Sequence, residues 1–315
     1  MGKIAKLCIL LLFIFSITGL EQAPGQAPAK GQRGGAGGGQ QVGADSQVEP
    51  EQLDGRPYNP ETEPDIDMFM GSYKESNNRG LFRAMIERDI LTPLAGSDPL
   101  HPTRRGACLT NIKLLSFVQL PSGQRVVEAR IDPSLKEQRM FYCSCGKGTL
   151  ESNSKTYDLY PGVGIVVPPN VAFSMHCTSM DDLSFFCITE KIPDTFTPKT
   201  EIVWADEASA RFSSNDVHWT HNYKTLFRKG DLATFTCGPV WFTPMTMGQP
   251  HSHGGPSGTV EEIWFSLTDG VTCLLGKELR PFDFGTAYKV PSDNQTPHSN
   301  INVTDKTIKV FWFMN

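Results

Sequence analysis

The chain has 315 residues, 39% of them apolar and 10% aromatic, and a formal net charge of -5. The apolar content argues for a globular chain. The acidic balance, with no cluster of Lys and Arg interleaved with aromatics, argues against nucleic acid as a partner. Without the termini roughly 250 residues remain, room for two domains of about 100 to 150 residues, each with its own core.

Lys3 and Lys6 precede an unbroken apolar run from Leu7 to Ile17. This is the charged start and short hydrophobic stretch of a secretory signal peptide, assigned to residues 1–20, and it predicts export to a periplasmic or extracellular space. The run is too short for a comfortable membrane span, so no stable span is expected once it is cleaved. Residues 21–67 read as a disordered linker rich in Gly, Pro and Gln, with six glycines between positions 31 and 40 and seven acids between Glu49 and Asp67. Leu81, Phe82, Met85, Ile86 and Ile90 then recur at helical spacing, with Asn77 or Asn78 as a cap and Pro93 beyond the end. The spacing predicts a helical arm over 68–104 that covers a barrel end or a sheet edge.

Beyond Arg105 the pattern changes to short β-rich runs divided by Gly, Pro, Asn and Asp. Strands are expected at 114–120, 125–131, 139–145, 164–167, 183–189, 233–236, 240–243, 263–267, 271–275 and 308–313. Many short strands at such intervals imply a sandwich or barrel.

Chemistry concentrates near the C-terminus. Gln249-Pro250-His251-Ser252-His253 leads through a glycine-rich loop to Glu261-Glu262, and a Gly285-x5-Pro291 turn precedes His298 and Asn302. A His-x-His pair on an extended strand presents both imidazoles on one face, because side chains alternate with period two. Together these residues resemble the cupin superfamily, whose motifs read G-x5-H-x-H-x3/4-E-x6-G and G-x5-P-x-G-x2-H-x3-N. His251, His253, Glu262 and Gly270 follow the first, and Gly285, Pro291, His298 and Asn302 the second. Eight residues separate His253 from Glu262, more than the family spacing, Asp293 replaces the motif glycine, and His298 comes two residues late. Turns tolerate such length changes. Glu261 competes with Glu262 as ligand, and the spacing to Gly270 favours Glu262.

Upstream, Gly162-x5-Pro168-Pro169-Asn170 repeats the turn, but no His-x-His precedes Gln138 and Phe173 stands in the place of the metal histidine. The resemblance therefore implies a mostly β bicupin, two tandem double-stranded β-helix (jelly-roll) barrels behind the N-terminal helical arm. A first barrel without metal ligands would cover 105–200 and a metal-binding second barrel 201–315. His176 lacks partners and reads as a vestigial or core residue, His101 lies in a loop and carries no motif, and His218 and His221, three apart without an acid or cysteine cluster nearby, read as turn or surface residues. Seven cysteines follow the signal segment, and Cys143-x-Cys145 lies in a run of Phe and Tyr, where cysteine reads as a small buried apolar residue.

Three imidazoles and a carboxylate suit one divalent transition metal, Fe, Mn, Ni, Cu or Zn, without choosing among them. Met247, Gln249, Trp264 and Asn302 are the expected pocket residues, and the loop 254–258 is a candidate lid. Two functions follow from the resemblance. One is a metal-dependent bicupin enzyme, a quercetinase-like dioxygenase or an isomerase or lyase, acting on a small sugar-derived, carboxylated or enolic compound. The other is a non-catalytic metal- or carbohydrate-binding bicupin of the scaffold or storage type. The partner is a small-molecule substrate, and a homodimer is left open.

Overall fold

The computed structural model describes residues 63–213, 221–253 and 260–315. The signal segment, the linker to residue 62, His218 and the loop 254–258 lie outside the described residues. Three strands come first, β1 (Met70–Ser72), β2 (Arg79–Leu81) and β3 (Met85–Leu91). Eight form the first barrel: β4 (Ile112–Leu120), β5 (Arg125–Ala129), β6 (Glu137–Cys145), β7 (Gly148–Ser152), β8 (Lys155–Leu159), β9 (Val163–Val167), β10 (Phe173–Cys177) and β11 (Leu183–Lys191). After β12 (Val203–Asp206) and β13 (His221–Tyr223), eight more form the second: β14 (Thr236–Phe242), β15 (Thr246–Met247), β16 (Glu262–Ser266), β17 (Val271–Leu275), β18 (Glu278–Pro281), β19 (Thr286–Lys289), β20 (His298–Asn302) and β21 (Ile308–Met314).

Strand order shows the duplication. The first barrel pairs β9-β6-β11-β4 in one sheet and β5-β10-β7-β8 in the other; the second pairs β19-β16-β21-β14 and β15-β20-β17-β18. Adding ten to each strand number converts one barrel into the other, so both are the same antiparallel jelly roll. The repeated G-x5-P turns occupy equivalent places ahead of β9 and β19. Gly162 and Gly285 both take positive φ, at 101° and 81°. A Cβ on Gly285 would lie 2.1 Å from the Tyr73 ring, so both the backbone and the neighbour demand glycine there.

The barrels meet through aromatic residues on the outer faces of their larger sheets. Phe186 stacks on Phe265 with centroids 4.4 Å apart, and Tyr142 lies 4.7 Å from Phe311. Two carboxylates add a reciprocal clasp. Glu261 of the second barrel accepts from the backbone N–H groups of Thr110, Asn111 and Ile112, the lead-in to β4, at 2.6, 2.9 and 2.8 Å. Glu190 of the first barrel accepts from the N–H groups of Ala233 and Thr234, just before β14, at 2.9 and 2.7 Å.

The helical arm is not formed. Residues 68–104 hold short 3-10 turns and strands β1–β3 instead. Phe82 and Arg83 take φ of 47° and 66° in the three-residue turn between the paired Leu81 and Met85, a geometry incompatible with a right-handed helix. Leu81, Met85, Ile86 and Ile90 therefore lie on a hairpin whose β3 pairs with β4, while β1 pairs with β19. Two open sheet edges offer this segment a full hydrogen-bond ladder, and that outweighs a weak local helical preference. Of the predicted strands 233–236 and 240–243, only Thr236 of the first is in a strand, and β14 runs from it straight through Gly238-Pro239 to Phe242, because Gly238-Pro239 makes no turn. Gly238 instead admits the Lys224 backbone, whose carbonyl would lie 1.7 Å from an added Cβ.

Candidate metal centre

His251, His253, Glu262 and His298 converge inside the second barrel, with potential ligand atoms all within 4.8 Å of one another. All four are buried. Three separate stretches bring them there. Glu262 opens β16, His298 opens β20, and His251 bridges to His298 across an antiparallel pair with His298 N–H donating to the His251 carbonyl at 2.9 Å. His253 follows two residues on, as the period of an extended chain requires.

The donor atoms can be assigned in part. His251 Nδ1 lies 2.8 Å from the Gln249 carbonyl, which leaves Nε2 directed at the cluster. Glu262 Oε2 sits 2.5 Å from His253 Nε2 and 3.2 Å from His298 Nε2. Its other oxygen, Oε1, accepts from Trp264 Nε1 at 3.0 Å and Trp312 Nε1 at 2.7 Å. Burial, then the neighbouring His298, push His251 down to about 4, so its imidazole is neutral at ordinary pH. Burial opposes the charge on Glu262, yet the surrounding His298 and His253 outweigh it and hold the carboxyl well below its ordinary value. Apart from these contacts within the cluster, Glu262 Oε2 and both ring nitrogens of His298 are buried with no other polar partner. Such atoms are costly unless something binds them, and three imidazoles around one carboxylate oxygen fit a divalent transition ion.

A cavity of about 10 Å³ adjoins the cluster, lined by Phe242, Gln249, His251, Trp264 and His298 among others. That is room for roughly one water or one ion. Gln249 and Trp264 thus stand where a pocket wall was expected. Met247 is 38% exposed and lies outside the lining, because the chain leaves the two-residue β15 at Gly248 and strand parity does not carry through to His251. Asn302 is buried away from the cavity. Its amide donates to the carbonyls of Phe242, Thr243 and Lys306, at 3.0, 2.9 and 2.7 Å, and ties a turn together. Glu261, the competing carboxylate, is committed to the 110–112 backbone. Trp312 was missed by sequence reasoning, since only the β16–β21 register, which sets Trp264 opposite Trp312, reveals it.

In the first barrel the same positions carry different residues. Where His251 pairs with His298, Ala129 pairs with Phe173. Arg139 stands at the level of Glu262: it pairs with Thr189 on β11 as Glu262 pairs with Met314 on β21. Its guanidinium binds Glu87 Oε1 at 2.9 Å and lies over the Phe82 ring, which packs edge-on against Phe173 at 5.2 Å. The hairpin turn and an internal ion pair fill that mouth. Among the described residues the second-barrel cluster is the one group of His, Cys, Asp and Glu able to hold an ion. His176 lies on β10 facing Thr149 and Arg125, and His101 is an exposed partner of Asp98 at 2.8 Å. The seven described cysteines are free thiols, six of them buried. Burial pushes Cys108, Cys143, Cys187 and Cys273 up to about 12, which makes them inert packing groups.

No family model matches the sequence, and no curated protein matches it. The fold has many solved counterparts. A Pseudomonas aeruginosa protein described as glyoxylate-induced is 13% identical, with 75% of this chain and 82% of that chain covered at a TM-score of 0.58. Vicilin from hazelnut (Corylus avellana) is 10% identical over 78% of this chain and 85% of its own, also at 0.58. An oxalate decarboxylase from Bacillus subtilis is 12% identical over 78% and 76%, at 0.54. The chain has the bicupin fold, shared by enzymes and by storage globulins, with a buried His3Glu group that could hold a metal.

Proposed function

We propose that the second barrel binds one divalent transition ion through His251, His253, His298 and Glu262. On this reading the protein is a metal-dependent bicupin enzyme, of the oxygenase or the isomerase and lyase type, acting on a small enolic or carboxylated compound. The observation behind it is the convergence of four buried ligand groups, whose ring nitrogens and the Glu262 Oε2 atom face one another inside the barrel. A bound ion would supply Lewis acidity toward a carbonyl or enolate oxygen, or a site for dioxygen. The protein side chains fix the ligands and limit access: Phe242 and Trp264 give the cavity apolar walls, and Gln249 offers an amide.

Charge narrows the substrate. No Lys or Arg lines this cavity among the described residues. One carboxylate and a divalent ion leave a single positive charge, which an enolate or monocarboxylate neutralises. Oxalate, the compound named for the Bacillus protein, is a dianion and has no second cationic partner among the described residues that line this cavity. The likeness to vicilin favours a second reading, a non-catalytic metal- or carbohydrate-binding bicupin.

Elemental analysis of protein purified without added metal, followed by oxygen-uptake and product assays on enols, monocarboxylates and dicarboxylates, separates these. About one ion per chain with turnover of an enol or monocarboxylate supports the enzyme. An ion without turnover supports the binding protein, and no ion even after reconstitution, or a ratio near two, overturns the single metal site.

A further inference from the structure

We infer that Trp264 and Trp312 are positioning residues that hold Glu262 as a one-oxygen ligand and so keep a coordination position open for an exogenous oxygen donor. This deepens the metal reading above and rests on it. Trp264 lies two residues beyond Glu262 on β16 and shares its face, and Trp312 lies directly opposite Trp264 on β21. Both indole N–H groups reach the same atom, Glu262 Oε1, at 3.0 and 2.7 Å. The indole N–H is a donor only, so both must be giving a proton to that oxygen. A carboxylate oxygen accepting two N–H groups has its in-plane lone pairs occupied, and an ion could chelate through it only by displacing an indole. Oε2, by contrast, faces the ligand nitrogens themselves, His253 Nε2 at 2.5 Å and His298 Nε2 at 3.2 Å.

The consequence is a coordination count. Three imidazoles and one carboxylate oxygen make four protein ligands, and a six-coordinate ion then retains two positions for substrate, dioxygen or water. A chelating Glu262 would take one of the two. The indoles are not replaceable by any apolar ring of similar size, because the N–H and not the ring area fixes which oxygen is available. Losing a partner of this kind, hydrogen-bonded to the ligand rather than bound to the ion, commonly changes metal affinity by about 10- to 100-fold.

The test uses the full chain with Co(II) alone as the probe, in wild type, Trp264→Phe, Trp312→Phe and the double variant, with Trp241→Phe as an indole outside the site. Three quantities are read: the Co(II) dissociation constant, the separation of the two carboxylate stretches in isotope-edited infrared spectra of glutamate-labelled protein, and azide affinity from the visible spectrum. Each single variant should weaken Co(II) by about tenfold. The double variant should narrow the carboxylate separation to that of a chelate and weaken azide. Trp241→Phe should change none of the three. If the double variant does not fold, Trp312→Phe, whose ring is only half-buried, decides by the same readouts. Variants that bind one Co(II) with unchanged affinity and carboxylate separation overturn the clamp and leave the metal site standing. A wild type that takes up no Co(II) overturns both.

Discussion

Replacing Arg139 with Met tests whether an internal ion pair has taken the place of the metal in the first barrel. Glu87 is 1% exposed and is held by Arg139 Nη1 at 2.9 Å, Arg79 Nη2 at 2.8 Å and Ser116 Oγ at 2.7 Å. Removing one partner of a buried pair costs about 3–5 kcal/mol. Arg79 and Ser116 remain, so the lower end applies, about 3 kcal/mol, or a fall of roughly 6–12 °C in the thermal midpoint for a chain of this size. The sign with pH follows from Glu87. Burial opposes its charge, but Arg139, Ser116 and Arg79 outweigh burial and hold its carboxyl below the ordinary value. Its stabilising contribution is therefore present above the unfolded value of about 4.3 and is lost as pH falls through the folded one. In Arg139→Met, burial gains over the remaining partners, and protonation relieves the cost. The gap between the two proteins, measured by circular dichroism melts from pH 7 to 4, should shrink with acid. Adding Glu87→Met to Arg139→Met should recover most of the loss, since an apolar pair can replace a buried ion pair at little cost. A gap that is the same at pH 7 and pH 4, or a double variant as unstable as Arg139→Met alone, would refute the reasoning.

Three further outcomes are expected. His253→Ala removes a ligand nitrogen and should strongly lower metal occupancy measured by elemental analysis, whereas His176→Ala should leave occupancy unchanged. Glu262→Gln should weaken metal binding while Glu261→Gln spares it. Glu261→Gln should instead destabilise the fold by about 2–4 kcal/mol in urea titration, through loss of charge-assisted bonds to the 110–112 backbone; occupancy lost with Glu261→Gln alone would reverse the assignment. N-terminal sequencing of protein from its native cell fraction should begin between about residues 18 and 30 if the apolar start is a cleaved signal, and an intact Met1 in the cytosol contradicts export.

The fold was legible where the sequence carries chemistry that only one geometry satisfies. Gly162 and Gly285 with their following prolines located equivalent turns in both barrels, and short β-rich runs between turn residues located β4, β6, β11, β16, β17 and β21. The ligand types were legible for the same reason, since His-x-His on an extended chain must present one face. The hairpin of β2 and β3 was not, because its apolar spacing also suits a helix and only the free edge of β4 decides between them. Met247 and Asn302 were assigned to the pocket by parity and by motif; Gly248 interrupts the parity, and the motif asparagine ties a turn. Trp312 needed the cross-strand register, which no local pattern encodes.

The reciprocal clasp between the barrels bears on how a duplicated chain can change. Without metal-binding side chains of its own, the first half looks dispensable, yet its Thr110–Ile112 backbone is what satisfies Glu261, the immediate neighbour of Glu262. Excising that half would strand a buried carboxylate one residue from the candidate metal centre and expose the aromatic face around Phe265 and Phe311. The two halves are thus obliged to travel together, and drift in the first is confined to its mouth, where Arg139 and Phe82 now sit, while the surface that grips its sibling stays under constraint.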